Sequence, residues 1–500
     1  MRQWISLVAL WIMWWSTTCT AQAYHFTYNE ESKVINEHII ELKLSKAQTL
    51  LDQALRHQPY NLSHRHLQSY LDFFQLFISE DETYFYEFQN RKSEHLDLLD
   101  KLEESDPFKK FAKAEIKLHS AIIRSKFGQL LGASREVLSA YKLLTSNESA
   151  FPDFIYNKKS LSVIHSLVET VTLPGIIKKL FGIKGSISQG IEEIEAVKAY
   201  SYIDETFLFA EEVDAIYVYM LYYQANREEE AIHYMHHCRL DPNASLLATF
   251  LLSKLSQRNG QNQQALELLR QKPSGPDFSQ FDFLTLQEGI CLLRAGDRAA
   301  IDSIQRFTKA FGGRHYIKSA YQKLAWANLV FDEDLAGYKN YMQQVEDKGH
   351  NLVDADKQAL EESKAQIIPD PILLKARLLY DGGYYHKAMQ LLTTKAYAYN
   401  QKGNQAIEYN YRLGRICQAL KNYHEAIYHY EATARLDAEK KTYYACNATL
   451  QTGKIYESQR EYDKAKGLYE ACLGMSPKQY KNSLHQKAKT GLVRIKSIEK

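Results

Sequence analysis

Proline and glycine are scarce in this chain, at 10 and 22 in 500 residues. With long stretches of helical apolar periodicity, that scarcity favours an all-helical chain over a sheet. Net charge is nearly absent too: 62 Lys and Arg against 60 Asp and Glu leave +2, which argues against nucleic acid as the main partner. No nucleophile elbow, phosphate loop, paired Cys-x-x-Cys or pair of catalytic carboxylates occurs in a credible context, so no enzyme and no cofactor is expected. Cysteines are few and fit no disulfide framework. Cys19 lies in the leader, and Cys238, Cys291, Cys417, Cys446 and Cys472 remain, an odd set that leaves at least one thiol unpaired or joined to another chain. Cys417 and Cys472 fall on apolar stripes where small residues belong, and buried free thiols are expected there.

What the chain does have is a period. Ala376, Gly414, Gly453 and Gly491 recur at intervals of 38, 39 and 38. Tyr385, Tyr423 and Tyr462 keep step, as do Ala388, Ala426 and Ala465, then Leu392, Tyr430 and Tyr469. A period of this size, with small and aromatic residues in register, predicts an array of helical hairpins. In the clearest unit, Leu413, Gly414 and Cys417 form a small, apolar stripe on a first helix. Gly414 admits a close neighbour at roughly 1 kcal/mol of helix propensity. After a turn at Lys421-Asn422, the residues Tyr423, Ala426, Ile427, Tyr430 and Thr433 make the apolar face of a second helix. Neither helix buries its stripe alone, so neighbouring hairpins must stack.

These residues resemble the tetratricopeptide repeat, with a small residue midway in the first helix, then aromatic, Ala, aromatic and a small residue in the second. Pro477 follows Ala465 by twelve, as that family's helix-ending proline does. The chain departs from the pattern in placing Thr433 and Cys472 where a second alanine belongs, in repeat intervals longer than the family's 34, and in lacking the early Trp. The resemblance implies an all-α superhelical array of antiparallel hairpins, an α-solenoid, and a concave groove that binds a protein or peptide.

Taken in order, residues 1–23 read as a signal peptide: Arg2, an uncharged apolar core from Trp4 to Trp15, and Ala21-Gln22-Ala23 as cleavage signal. That core is short of the roughly 20 residues a membrane span needs, so no transmembrane span is expected after cleavage. Residues 24–200 read as divergent helical repeats. Lys43 to Pro59 stands out there as a second helix with stripe Ala47, Leu51 and Ala54, and Leu67 to Phe77 and Phe108 to Leu131 read as further helices. Within this region, Leu173-Pro174-Gly175 opens a basic, amphipathic stretch to Gly185, a membrane-surface candidate whose plainer reading is a packed helix. Residues 173–192 also resemble the central segment of the eukaryotic tetratricopeptide repeat protein 39 family, although the export signal speaks against that family's intracellular setting. Residues 201–345 carry further repeats, with Ala231 and Ala265 34 apart; 346–368 hold an inserted helix with Asp354 as N-cap; and 369–477 are the tandem repeats. Ile367 to Pro371 mark the main break, and 478–500 are a capping helix with seven Lys and Arg on a solvated face.

Two constellations bear on chemistry. His233 and His237, at i and i+4 beside His236 and Cys238, have metal-ligand spacing, but no second half of a tetrahedral site is evident and no metal is expected. Arg377, Arg415 and Lys454 each directly follow the small residue of a first helix, and one turn on stand Tyr380, Gln418 and Glu457. The resemblance implies that these positions face the groove, where three stacked cations would favour an acidic segment. The family's carboxylate clamp of paired Lys and Asn is missing. The expected function is a non-enzymatic, exported scaffold for a protein or peptide partner in the periplasm or cell envelope, with envelope glycan or nutrient binding as the alternative.

Overall fold

The computed structural model describes residues 23–170, 183–399, 403–437 and 442–498. Residues 1–22, which hold nearly all of the expected signal peptide and Cys19, and most of the 173–185 stretch lie outside the described residues. Among those described, the chain forms 24 α-helices, a π-helix at Met220–Gln224 and a 3-10 turn at Ala396–Tyr399. It has no strand among them, only an isolated bridge between His25 and Asn61. No described helix is long and apolar enough to cross a membrane. The fold is all-α, with consecutive helices packed in pairs.

The helices divide between two compact units. The first comprises the chain up to Phe77, Asp81–Leu240 and Ser274–Ser279; the second comprises Ile78–Glu80, Asp241–Pro273 and Gln280 onward. In the first run α1 (Glu30–Ile40), α2 (Leu44–His57), α3 (Ser63–Ser79, ending in the second unit), α4 (Glu82–Leu99) and α5 (Pro107–Lys126). They are followed by α6 (Leu130–Ala150), α7 (Tyr156–Thr170), α8 (Ile187–Ile203), α9 (Ala210–Tyr219) and α10 (Glu228–Met235). In the second run α11 (Leu246–Arg258), α12 (Asn262–Gln271), α13 (Asp282–Ala295), α14 (Ala300–Ala310), α15 (Ile317–Asp332), α16 (Leu335–Asp347) and α17 (Asp354–Ala365). The tandem repeats complete it as α18 (Pro371–Asp381), α19 (Tyr385–Thr394), α20 (Asn404–Ala419), α21 (Tyr423–Leu436), α22 (Tyr443–Ser458), α23 (Tyr462–Gly474) and α24 (Lys481–Ile498).

One device ends the first helix of most hairpins. A residue in the left-handed region stands five positions before the buried alanine of the second helix: Leu42 before Ala47, Gly128 before Ala133, Asn226 before Ala231, Gly260 before Ala265, Gly383 before Ala388, Lys421 before Ala426 and Arg460 before Ala465. In six of these the next N–H bonds the carbonyl five residues back, as in Tyr384 to Leu379, Asn422 to Cys417 and Glu461 to Tyr456, each 2.9 Å. That is the Schellman cap, which satisfies helix-end carbonyls and reverses the chain in two residues. It gives the N-terminal region a register that its apolar pattern hides. The expected Phe108–Leu131 helix is in fact two, because Gly128, at φ +77°, ends α5 and turns the chain into α6.

Two single helices fall where the sequence pattern placed them. Helix α2 buries Leu44, Ala47, Leu51 and Ala54. The inserted helix begins at Asp354, but its N-cap is Val353, with no side-chain cap. The acid that caps is Asp356, which accepts from the backbone N–H groups of Tyr316 (2.6 Å) and Ser319 (2.9 Å) at the start of α15. After the break at 366–370, Asp370 caps α18 through the N–H groups of Ile372 and Leu373, with Pro371 at the first helical position. Helix α18 packs on α13 and α15, while α17 packs on α15 and α16. Gly383 lies so close to Gly260 that a Cβ there would stand 1.8 Å from the Gly260 carbonyl oxygen.

In the first unit, a buried charge cluster joins four helices. Lys159 of α7 lies 2.7 Å from Glu115 of α5, 2.8 Å from Glu212 of α9 and 2.8 Å from the hydroxyl of Tyr70 on α3, with its ammonium over the Phe209 ring at 4.2 Å.

Candidate functional site

The repeat glycines are explained by the aromatic of the second helix. A Cβ on Gly414 would meet the Tyr430 ring at 2.6 Å. Those on Gly453 and Gly491 would meet opposite edges of the Tyr469 ring at 2.9 and 2.4 Å. Each ring is thus clamped against a first helix, and its hydroxyl needs a partner close by. Tyr430 donates to Gln418 at 2.6 Å, and Tyr469 donates to Glu457, in both cases to the residue four after the glycine. Glu457 is further held by Arg494 of α24 through two bonds of 2.8 Å. Burial opposes its charge, but Arg494 and Tyr469 prevail and hold its carboxyl below the usual range. Gln418 and Glu457, two of the residues that sequence pattern aims at the groove, therefore act as acceptors for packed tyrosines. Lys454 does not line the cleft described next.

The first repeat differs, because Leu392 stands where the others have tyrosine. Position 380 then has no hydroxyl to receive, and Tyr380 is released for another use: its oxygen accepts from Arg415 at 2.9 Å. Arg415 also donates to Tyr411 at 3.0 Å and lies over the Tyr380 ring at 4.8 Å. Arg415 has no carboxylate partner among the described residues. Asn447 donates to the same Tyr411 oxygen at 2.6 Å. Among the described residues, the hydroxyls of Tyr380 and Tyr411 only accept, so their own protons remain to be donated.

These groups line a cleft of about 270 Å³ in the second unit. Helix α18 supplies Arg377, Tyr380 and Asp381, α20 supplies Tyr411, Arg412 and Arg415, and α22 supplies Tyr443 and Asn447. The far wall is Tyr480, just before α24, with Ser483, Leu484 and Lys487 on that helix. Four cations face one acid. Arg412 is matched by Glu408, its Nε at 2.9 Å, and Arg377 lies 3.7 Å from Asp381 with both side chains well exposed, a pair worth roughly 0–1 kcal/mol. Arg415 and Lys487 thus leave the cleft net positive and rich in N–H and O–H donors, which suits an anion.

The positive character continues beneath the cleft. Arg377 lies over Trp326 at 5.0 Å and Lys323 over the same ring at 4.0 Å. Trp326 donates to Glu362 at 2.7 Å and is only 4 % exposed, so it offers no open face to a sugar. Burial, reinforced by Arg377, pushes the Lys323 ammonium down to about 7. Burial with Arg294 and Arg258 pushes Lys254 down to about 8.

Of the six residues picked from the repeat pattern, the structure brings Arg377, Tyr380 and Arg415 together at the cleft. Arg412, Tyr411, Tyr443, Asn447, Tyr480 and Lys487 join them without having been picked. The signal that could have found two of them is the first-helix surface one turn earlier, at i−4 and i−3 from the cation ladder: Tyr411 and Arg412 precede Arg415 by four and three. At the other constellation, the rings of His233 and His237 stack at 4.9 Å, and α10 ends at Met235. No group of three or more His, Cys, Asp or Glu placed to hold a metal occurs among the described residues.

With this geometry in view, the chain is an all-α protein of paired helices, compatible with a helical repeat protein. Compared with known proteins, it matches no protein-family model and no curated sequence.

Proposed function

We propose that this chain is an exported, non-enzymatic scaffold of tetratricopeptide-like repeats, working in the periplasm or cell envelope, whose cleft between α18, α20, α22 and α24 holds an acidic segment of a partner protein. The observation that carries this reading is Arg415, a cation on the cleft wall that is oriented by two tyrosine hydroxyls and matched by no carboxylate among the described residues. A side chain fixed in this way binds a carboxylate with little ordering cost. The tetratricopeptide assignment rests on the register of small and aromatic residues over 369–491, and export rests on the leader.

The test is fluorescence anisotropy of the full chain with labelled Glu-rich octapeptides and their Gln counterparts, at low and high salt. The Glu peptides should bind and the Gln peptides should not, with affinity falling as salt rises. Arg415→Gln should weaken binding by at least about tenfold, the equivalent of one charge-assisted contact. Equal binding by wild type and variant, or by Glu and Gln peptides, would reject the reading. The rings of Tyr380, Tyr411, Tyr443 and Tyr480 at the same cleft support a second reading, an acidic glycan, which uronate oligosaccharides would reveal in the same assay.

A further inference from the structure

We propose that Cys446 and Cys472 form a disulfide that closes the open end of the third tandem hairpin. Cys446 lies in the first turn of α22 and Cys472 in the last turn of α23, so an antiparallel pair of helices brings residues 26 apart side by side. Their sulfurs stand 3.5 Å apart. A disulfide needs about 2.05 Å, so the sulfurs close by roughly 1.5 Å when the bond forms. Both side chains are buried in one cluster with Leu450, Ala465, Tyr469 and Leu484. In this structure all five cysteines are free thiols, buried at Cys417 and Cys472 as expected, but the contacts are selective: Cys417 belongs to a different cluster, with Tyr411 and Tyr430, and no contact joins Cys238 or Cys291 to another sulfur among the described residues.

The chemistry is thiol–disulfide exchange. The hydrogen bond shared with Cys472 holds the Cys446 thiol below its ordinary value, which makes Cys446 the attacking group. Its thiolate attacks an oxidant disulfide, such as oxidised glutathione or an oxidised dithiol oxidoreductase, and forms a mixed disulfide while one oxidant thiolate leaves. Cys472, once deprotonated, attacks the Cys446 sulfur and expels the second thiolate. The two cysteines lose two protons and two electrons, and the oxidant becomes two thiols. Leu484 and Ala488 of α24 belong to the same buried cluster as the pair, so exchange takes place before that helix docks, and the finished bond is then shielded. Presence of the bond in cells rests on the export reading, because the cytosol keeps thiols reduced. The capacity to form it rests on the hairpin alone.

The experiment reduces the full chain, reoxidises it against a glutathione couple, alkylates it in denaturant and maps the peptides by mass spectrometry. The expected product is one linked pair, Cys446 with Cys472, while Cys238, Cys291 and Cys417 carry the alkyl label. In C446A, an alanine that fits this small-residue site, Cys472 should label completely. Full labelling of Cys446 and Cys472 in the reoxidised wild type overturns the proposal, and so does Cys472 of C446A linked to another cysteine. The same mapping on chain trapped with alkylating agent in living cells separates the two readings. Thiols in cells with a bond after reoxidation would keep the pair and reject export; a bond in both supports both.

Discussion

Replacing Lys159 by methionine removes one charge and little volume from the interior of the first unit, so its effect is electrostatic. In the wild type, burial alone would raise the Glu115 carboxyl, but Lys159, with His119 and His66, overrides it and holds the group down at about 2. That downward shift favours the folded, charged form of Glu115. Glu212 shifts the other way: burial raises it more than Lys159 lowers it, and the Glu115 charge adds to the rise. Without Lys159, both carboxyls are left in an apolar site shared with Tyr70 and Phe209, and the expected loss at pH 7 is about 3–5 kcal/mol. The pH dependence fixes the sign. The wild-type contribution of Glu115 is present above 4.5 and is lost as pH falls through about 2. In K159M both folded carboxyls titrate above their unfolded values, so the variant regains stability as pH falls from 7 toward 5. Urea unfolding of the full chain at pH 7 and pH 5, followed by far-ultraviolet circular dichroism, should show the gap to wild type narrowing on acidification. Adding E115Q and E212Q to K159M should recover much of the loss, because the unpaired charges go with it. A gap below about 1 kcal/mol at pH 7, or one that widens at pH 5, would refute the argument.

The same hairpin-turn position should respond in opposite directions in two repeats. G383A forces a side chain into the left-handed region at φ +79° and against the Gly260 carbonyl, and should cost about 2 kcal/mol or more by thermal melting. K421G relieves a left-handed lysine at φ +61° and should stabilise by up to about 1 kcal/mol. Lys323 binds its proton less well folded than unfolded, so it makes stability rise with pH between about 7 and 10.5; K323M should be the more stable chain at pH 7 and show a flatter slope over that window.

Much of the array was legible in the sequence because it depends on short-range periodicity. Ala388, Ala426 and Ala465 and the glycines at 414, 453 and 491 repeat so strictly that hairpins over 371–474 and a final single helix follow from spacing alone, and the structure has them. The N-terminal region was not legible at that level. Its stripes are degenerate, and its register is carried by backbone conformation at Leu42 and Gly128, which residue type announces only at the glycine. The cleft was half legible. The cations after each small residue share a helix face by arithmetic, but whether a face is spent depends on the next helix. Tyr430 and Tyr469 consume Gln418 and Glu457, while the single substitution of Leu392 for tyrosine frees Tyr380 to hold Arg415.

The sequence by itself determined helix positions, hairpin pairing and a surplus of cations along one face, because a period near 3.6 and a small residue at a crossing act within about 40 residues. Tertiary structure alone decided which of those cations keep a net charge to offer. Arg412 is met by Glu408 one turn earlier on its own helix, but Arg494 is met by Glu457 of another helix and no carboxylate reaches Arg415 among the described residues, outcomes set by stacking across repeats. It also decided that Lys159 meets Glu115 and Glu212 and that Cys446 meets Cys472, since contacts 26 to 53 residues apart have no trace in local pattern. A charge or a thiol carries no record in the chain of what it will be packed against; only the closing of one helix on another supplies it.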